Sequence, residues 1–387
     1  MSKNITALIM LGKSGTSKSE VLVHNARRKS AIHTVKKLTR IDNVKNIIVA
    51  VPKEEKAIWG EDAYFKNVSE NVNWEIDPAN RPFHFGNRIS EIALKHNLKH
   101  VLYIGGGSMP LLKLEVLEEI VDKIMKSRGK YALTNNFHSS DWLGITDGSA
   151  LPMLTKFLPR DNMLGWVLQN KGGFTVEALP PSAGTQLDID TPTDLVAMRW
   201  HPDTPADMRS FLTKYLPHEP LIRWQEAAHK LNTPGSHVAL IGRVSPYLWQ
   251  MMQTNLEVWT RVFSEERGMT SSGRWGGGTV QSLLGHYIDI LGANVLFDKL
   301  DEMVNVGFID SRVYMAHIGV WPTNADRYAS DLLQIREIKN DKLREFTQAA
   351  LECHSPMILG AYGCVSGGLY SLVETIKTKS TGQSING

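Results

Sequence analysis

The chain has 387 residues, 42% of them apolar and 21% charged, an ordinary globular composition with enough apolar mass for more than one core. Its 43 basic and 40 acidic side chains nearly cancel, to +3, a balance that argues against a dedicated nucleic-acid binder. The two cysteines, Cys353 and Cys364, lack any CxxC or Cys/His spacing, which excludes a structural zinc and fits a reducing cytoplasm better than a disulfide.

Residues 5–11 form a continuous apolar run that stops at Gly12, the pattern of a strand buried on both faces. A loop rich in Gly, Ser and Lys follows. Next comes a helical pattern with Ala31, Ile32, Val35 and Leu38 on one face, its basic residues reading as a solvated side. Residues 47–51 predict a second strand, 74–76 a weaker third, and 85–96 a helix. Residues 100–104 predict a strand running into Gly105-Gly106-Gly107-Ser108-Met109-Pro110. Residues 114–125 are strongly amphipathic, and 131–134 read as a strand. This alternation implies a Rossmann-like, mostly parallel α/β sheet over residues 1–200, with ligands gathering beyond the carboxyl ends of its strands. Both glycine-rich loops fall at such ends.

Near residue 200 the texture changes. His201-Pro202-Asp203-Thr204-Pro205 reads as a linker. Residues 208–387 read as a mainly α-helical domain, with helices at 208–215, 221–231, 247–266, 280–291 and 342–353. The uncharged stretch 355–373 is long enough to span a membrane, but its glycines and serines suit buried loop-and-helix structure. Residues 1–4 lead into a short strand-like run and not into a signal-peptide core. The expectation is a soluble cytoplasmic protein with no membrane or nucleic-acid partner.

Gly12-Lys13-Ser14-Gly15-Thr16-Ser17-Lys18-Ser19 departs from a Walker P-loop, because Ser17 stands where glycine must wrap a phosphate. A looser reading holds: small residues between a strand and a helix expose backbone N–H groups to an anion, and Lys13 or Lys18 neutralises a phosphate. A plain flexible turn is the alternative. Farther on, Thr191, Pro192 and Asp194 read as helix-capping residues. Asp188 and Asp190 alternate along a strand ending, where one of them can reach a divalent ion. Asn135 and Asn136 offer paired amides to a base or an acceptor, or else form a turn.

The order of these pieces resembles a known family. The first strand with its glycine loop, then residues 107–112, Asn135-Asn136 and Leu187-Asp188-Ile189-Asp190-Thr191-Pro192-Thr193-Asp194-Leu195, look like the GT-A-type nucleotidyltransferases. The similarity is to those that make molybdopterin guanine dinucleotide or guanylylate phospho-lactate, and it covers about residues 5–200. It implies transfer of GMP or CMP from a nucleoside triphosphate to a small phosphorylated acceptor, with Mg²⁺ and release of pyrophosphate. In this nucleotidyltransferase reading Lys18 and Asp190 are catalytic, and Asp188 and Asp190 hold the metal. Gly12, Lys13, Ser14, Gly15, Lys18, Gly107, Ser108, Asn135 and Asn136 bind the nucleotide. The chain departs from the family at Lys13-Ser14-Gly15, and at Ser108, where the family has an Asp that holds magnesium. A neutral hydroxyl is a weak ligand for so hard a dication. Two other readings follow: a non-catalytic binder that kept the fold, or a GT-A glycosyltransferase with Asp188-Ile189-Asp190 as its metal clamp.

The second half carries two patterned segments. In residues 271–279, Arg274 and Trp275 can close over a phosphate and a ring, or the glycines can be a hinge. In residues 310–331, alternating Asp and Arg suggest ion pairs between helices, and His317 is either a satisfied core residue or catalytic. This half is open to acceptor binding, homodimer formation or a separate activity.

Overall fold

The computed structural model describes residues 4–62, 65, 72–79, 81–319 and 321–380. They form two compact units. One comprises the residues up to Ser14 together with Asn25–Asp188; the other comprises Gly15–His24 and the residues from Ile189 onward. The units divide at Asp188, ahead of the Pro-rich segment read as a linker, whose His201 and Thr204 are buried.

The first unit is built on β1 (Ile5–Met10), β2 (Val44–Val51), β3 (Val72–Ile76), β4 (His100–Gly105), β5 (Tyr131–Thr134), β6 (Trp142–Ile145) and β7 (Thr175–Ala178), in the spatial order β3-β2-β1-β4-β6-β5-β7. Strands β3, β2, β1 and β4 are mutually parallel, and β6 inserts antiparallel between β4 and β5. The Rossmann-like, mostly parallel architecture read from the sequence is the one observed. Alternate residues of β1 feed the two faces: Ala7 and Ile9 pack with Val35 and Leu38, while Leu8 and Met10 pack with Phe85 and Ile89. A strand apolar at every position is what two covered faces require.

In the second unit helices predominate, as expected, but they surround a sheet that the reading of this half did not contain. Its strands are β8 (His237–Gly242), β9 (Trp259–Ser264), β10 (Val306–Asp310) and β11 (Met357–Gly360), all parallel, in the order β11-β10-β8-β9. The helix expected over 247–266 stops at Asn255, and β9 takes up its last part. The uncharged stretch holds β11, a short 3₁₀ turn and the helix Gly367–Ser380. No described helix is long and apolar enough to cross a membrane. Both cysteines are free and buried, and burial pushes the Cys353 thiol up to about 12.

One ion pair is part of this unit's interior. Arg312 meets Asp331 through two hydrogen bonds of 2.6 and 2.7 Å, with side chains 5% and 0% exposed. Removing one partner strands a buried charge, so Asp331→Ala is expected to cost about 3–5 kcal/mol in urea denaturation. An unchanged midpoint would refute that structural role.

Candidate functional site

The first unit gathers its chemistry beyond the carboxyl ends of β1 and β4. Leu11 leaves β1 by donating its N–H to Ala50 O (3.1 Å), and Gly12, Lys13 and Ser14 then stand exposed. Gly106 is required by packing: a Cβ there would lie 2.5 Å from Leu11 Cδ1. Two residues on, Ser108 and Asp188 form an isolated antiparallel bridge, and Met109 turns the chain with φ 59°. Asp188 therefore sits at this edge through a single bridge, not through the longer strand ending expected, because residues 183–186 are helical.

The Ser108 hydroxyl is buried and donates to Asp141 O at 2.8 Å. Asn135, also buried, is committed to the same residue. Its Nδ2 donates to Asp141 Oδ2 (2.6 Å), its Oδ1 accepts the Asp141 N–H (3.1 Å), and its carbonyl accepts from Gln186 Nε2 (2.9 Å). Asn136 closes a turn, its Oδ1 accepting the His138 and Ser139 amides. The paired amides thus serve to position Asp141 and the loop that carries it.

Tyr103 of β4 is buried and donates its hydroxyl to Asp161 Oδ2 at 2.8 Å. Desolvation first, then the charge of Asp161, and after it those of Asp188 and Asp141, raise its pKa well above the usual phenol value. All three aspartates are half-buried. The sequence reading gave no functional role to Tyr103, Asp141 or Asp161. Nothing local marks them, because β4, β6 and the 158–163 turn bring them together from distant positions. Magnesium is commonly held by one or two carboxylates together with substrate phosphates. Asp188, Asp141 and Asp161 offer that oxygen chemistry. Ser108 offers only a neutral hydroxyl, a weaker ligand for so hard a dication.

Gly15, Lys18 and Asp190 belong to the second unit. Ser17 and Glu20 form a reciprocal cap on the helix Lys18–Leu38: Ser17 N–H and Oγ both reach Glu20 Oε2 (3.0 and 2.8 Å), and Glu20 N–H reaches Ser17 Oγ (3.3 Å). Burial of Glu20 opposes its ionisation, but hydrogen bonds from Ser17, Thr16 and Asn324 outweigh it and its pKa is lowered. The amides of this turn are therefore already given to an internal carboxylate. Lys18 is exposed.

Asp190 is exposed, and its carbonyl accepts from Tyr328 Oη at 2.7 Å. Asp194 is 1% exposed, and its Oδ2 takes Asp190 N–H, Thr191 N–H and Thr191 Oγ. With Pro192 at the first helical position, this is the capping read from the sequence.

Elsewhere in this unit Arg274 pairs with Glu266 (2.9 Å) and Trp275 packs on Trp321 (centroids 4.7 Å apart). The ligand atoms of His286, Asp289 and His317 lie within 4.8 Å of one another. His317 Nδ1 accepts the Ser282 amide, which leaves the proton on Nε2, facing Asp289 at 2.9 Å. A ring so fixed makes a histidine–carboxylate pair and has no lone pair to give a metal.

No family model matches the chain, and no curated protein sequence matches it. Among solved structures it is similar to a cytidylyltransferase from Leptospira borgpetersenii serovar Hardjo-bovis, at 18% identity over 55% of this chain and 94% of that one, with a TM-score of 0.37. It is also similar to 4-diphosphocytidyl-2C-methyl-D-erythritol synthase from Anaerococcus prevotii (15% identity, 46% and 87% of the chains, TM-score 0.34). A third likeness is to CMP:2-keto-3-deoxy-manno-octonic acid synthetase complexed with CTP (9% identity, 55% and 98%, TM-score 0.33).

Proposed function

We propose that the protein is a magnesium-dependent nucleotidyltransferase that moves GMP or CMP from GTP or CTP to a small phosphorylated acceptor. The observation that carries this reading is the bridge between Ser108 and Asp188. It brings a carboxylate from the 187–195 motif to the loop where the resembled family has its own aspartate and this chain has serine. The exposed backbone of Gly12–Ser14 would receive the phosphates, with Lys13 as a neutralising cation. Asn135 orients Asp141, and Tyr103 orients Asp161. Magnesium, when bound, would supply the charge neutralisation on the transferred phosphoryl group. Three carboxylates at one strand end repel a triphosphate unless a cation accompanies it, so donor binding should depend on the metal.

A thermal-shift screen against nucleoside triphosphates and nucleotide sugars, with and without Mg²⁺, tests the proposal. The expected result is a Mg²⁺-dependent rise in Tm with GTP or CTP and release of pyrophosphate on turnover. A shift independent of metal would instead favour a non-catalytic binder, the reading that Ser108 supports. A shift only with nucleotide sugars would favour glycosyl transfer.

A further inference from the structure

The helix Asn324–Asp331 of the second unit meets two of the segments singled out in the sequence. Asn324 hydrogen-bonds to Glu20 of the Ser17–Glu20 turn, and Tyr328 holds the Asp190 carbonyl. Between them on this helix stands Arg327. Its guanidinium lies 4.6 Å over the Trp321 ring and donates to the neutral Asn324 amide oxygen.

No carboxylate comes within ion-pair distance of Arg327 among the described residues. The acids around it are already engaged. Asp331 is paired bidentately with Arg312, Asp326 Oδ1 accepts the Lys339 amide, and Glu20 caps its own helix. Burial first, and the like charge of Arg312 second, lower its pKa to about 10, so it remains a cation at neutral pH. Taking a guanidinium partly out of water beside a second cation is unfavourable without an anion, and most of its five donors are left over from the single Asn324 bond. A planar donor fork of this kind matches a phosphate bidentately.

We infer that Arg327 is an anion-binding residue of the second unit and takes the phosphate group of a small phosphorylated molecule. This goes beyond the nucleotidyltransferase reading and does not rest on it. The anion site itself can be tested alone.

Trp321 beneath the guanidinium provides the readout. Titrating the full chain with inorganic phosphate should give a saturable change in tryptophan fluorescence. Arg327→Gln should weaken that binding at least tenfold, and Arg327→Lys should keep part of it as a point charge. In the absence of phosphate, Arg327→Gln should melt at the same temperature as the wild type or higher, because it removes an uncompensated charge. A purely structural arginine would instead lower Tm on replacement. Equal phosphate binding by wild type and Arg327→Gln, no saturable binding by the wild type, or a clear drop in Tm would each overturn the assignment. If phosphate binds through Arg327 and no triphosphate is turned over, the anion site stands and the nucleotidyltransferase reading falls.

Discussion

Asp188→Asn is expected to lower Mg²⁺-dependent turnover of the nucleoside triphosphate about a hundredfold, the scale seen when one preorganised electrostatic partner is removed from a transferring group. Its effect on binding should have opposite signs with and without metal. The ends of β4 and β6 hold Asp141, Asp161 and Asp188 close enough for all three charges to act on the buried Tyr103 hydroxyl. Removing one of them weakens the hold on magnesium. It also reduces the repulsion felt by a bare triphosphate. The variant should therefore show a smaller Tm shift with nucleotide and Mg²⁺ than wild type, and an equal or larger shift with nucleotide alone. Unchanged turnover in Asp188→Asn would remove this residue from the chemistry and leave the strand-end acids without a role.

The second large effect concerns stability and follows from Asp194. Burial first, and the neighbouring charge of Asp190 second, raise its carboxyl from 3.8 to about 7. A carboxyl with a raised folded-state pKa binds its proton more tightly folded than unfolded. Its contribution is fully present below about pH 4 and is lost as pH rises through 7. Above that, the fold carries an ionised carboxylate that is 1% exposed. The Asp194→Asn side chain would keep an oxygen for the Asp190 and Thr191 donors and has no proton to lose. Wild type is therefore expected to lose stability relative to Asp194→Asn between pH 4 and about 8, by up to roughly 4 kcal/mol. Urea denaturation across that range measures it. A stability difference that stays flat with pH would mean the carboxyl keeps one charge state throughout.

The first unit was largely legible because β1, β2 and β4 are largely apolar runs closed by glycine or proline, the pattern that two covered faces require. β6 and β7 were not seen. β6 is a four-residue segment between polar turns, and β7, Thr175–Ala178, is largely exposed and carries little apolar signal. In the second half, β8, β10 and β11 are short buried apolar runs that periodicity alone does not separate from helix. β9 was absorbed into the helix before it, since Leu256, Val258 and Val262 continue an apolar spacing across the break. The site divides in the same way. Asp188 and the capping group Thr191–Asp194 belong to one contiguous motif and could be read. Tyr103, Asp141 and Asp161 acquire meaning only through strand pairing. The Ser17–Glu20 cap was local and readable, but the glycines and lysines around it drew the reading toward a phosphate.

The assignment of Gly15–His24 to the second unit bears on how the chain is made. That segment leaves the ribosome early, whereas Asn324 and Arg327, which face Glu20, follow about 300 residues later. At 5–20 residues per second, synthesis keeps the start of the helix Lys18–Leu38 waiting roughly 15–60 s for those partners. The first unit can close its sheet in that interval, and the second cannot complete itself until the strands and helices of its own half have emerged. Nor can one cut separate the two. A break after Asp188 leaves Gly15–His24 attached to the wrong half.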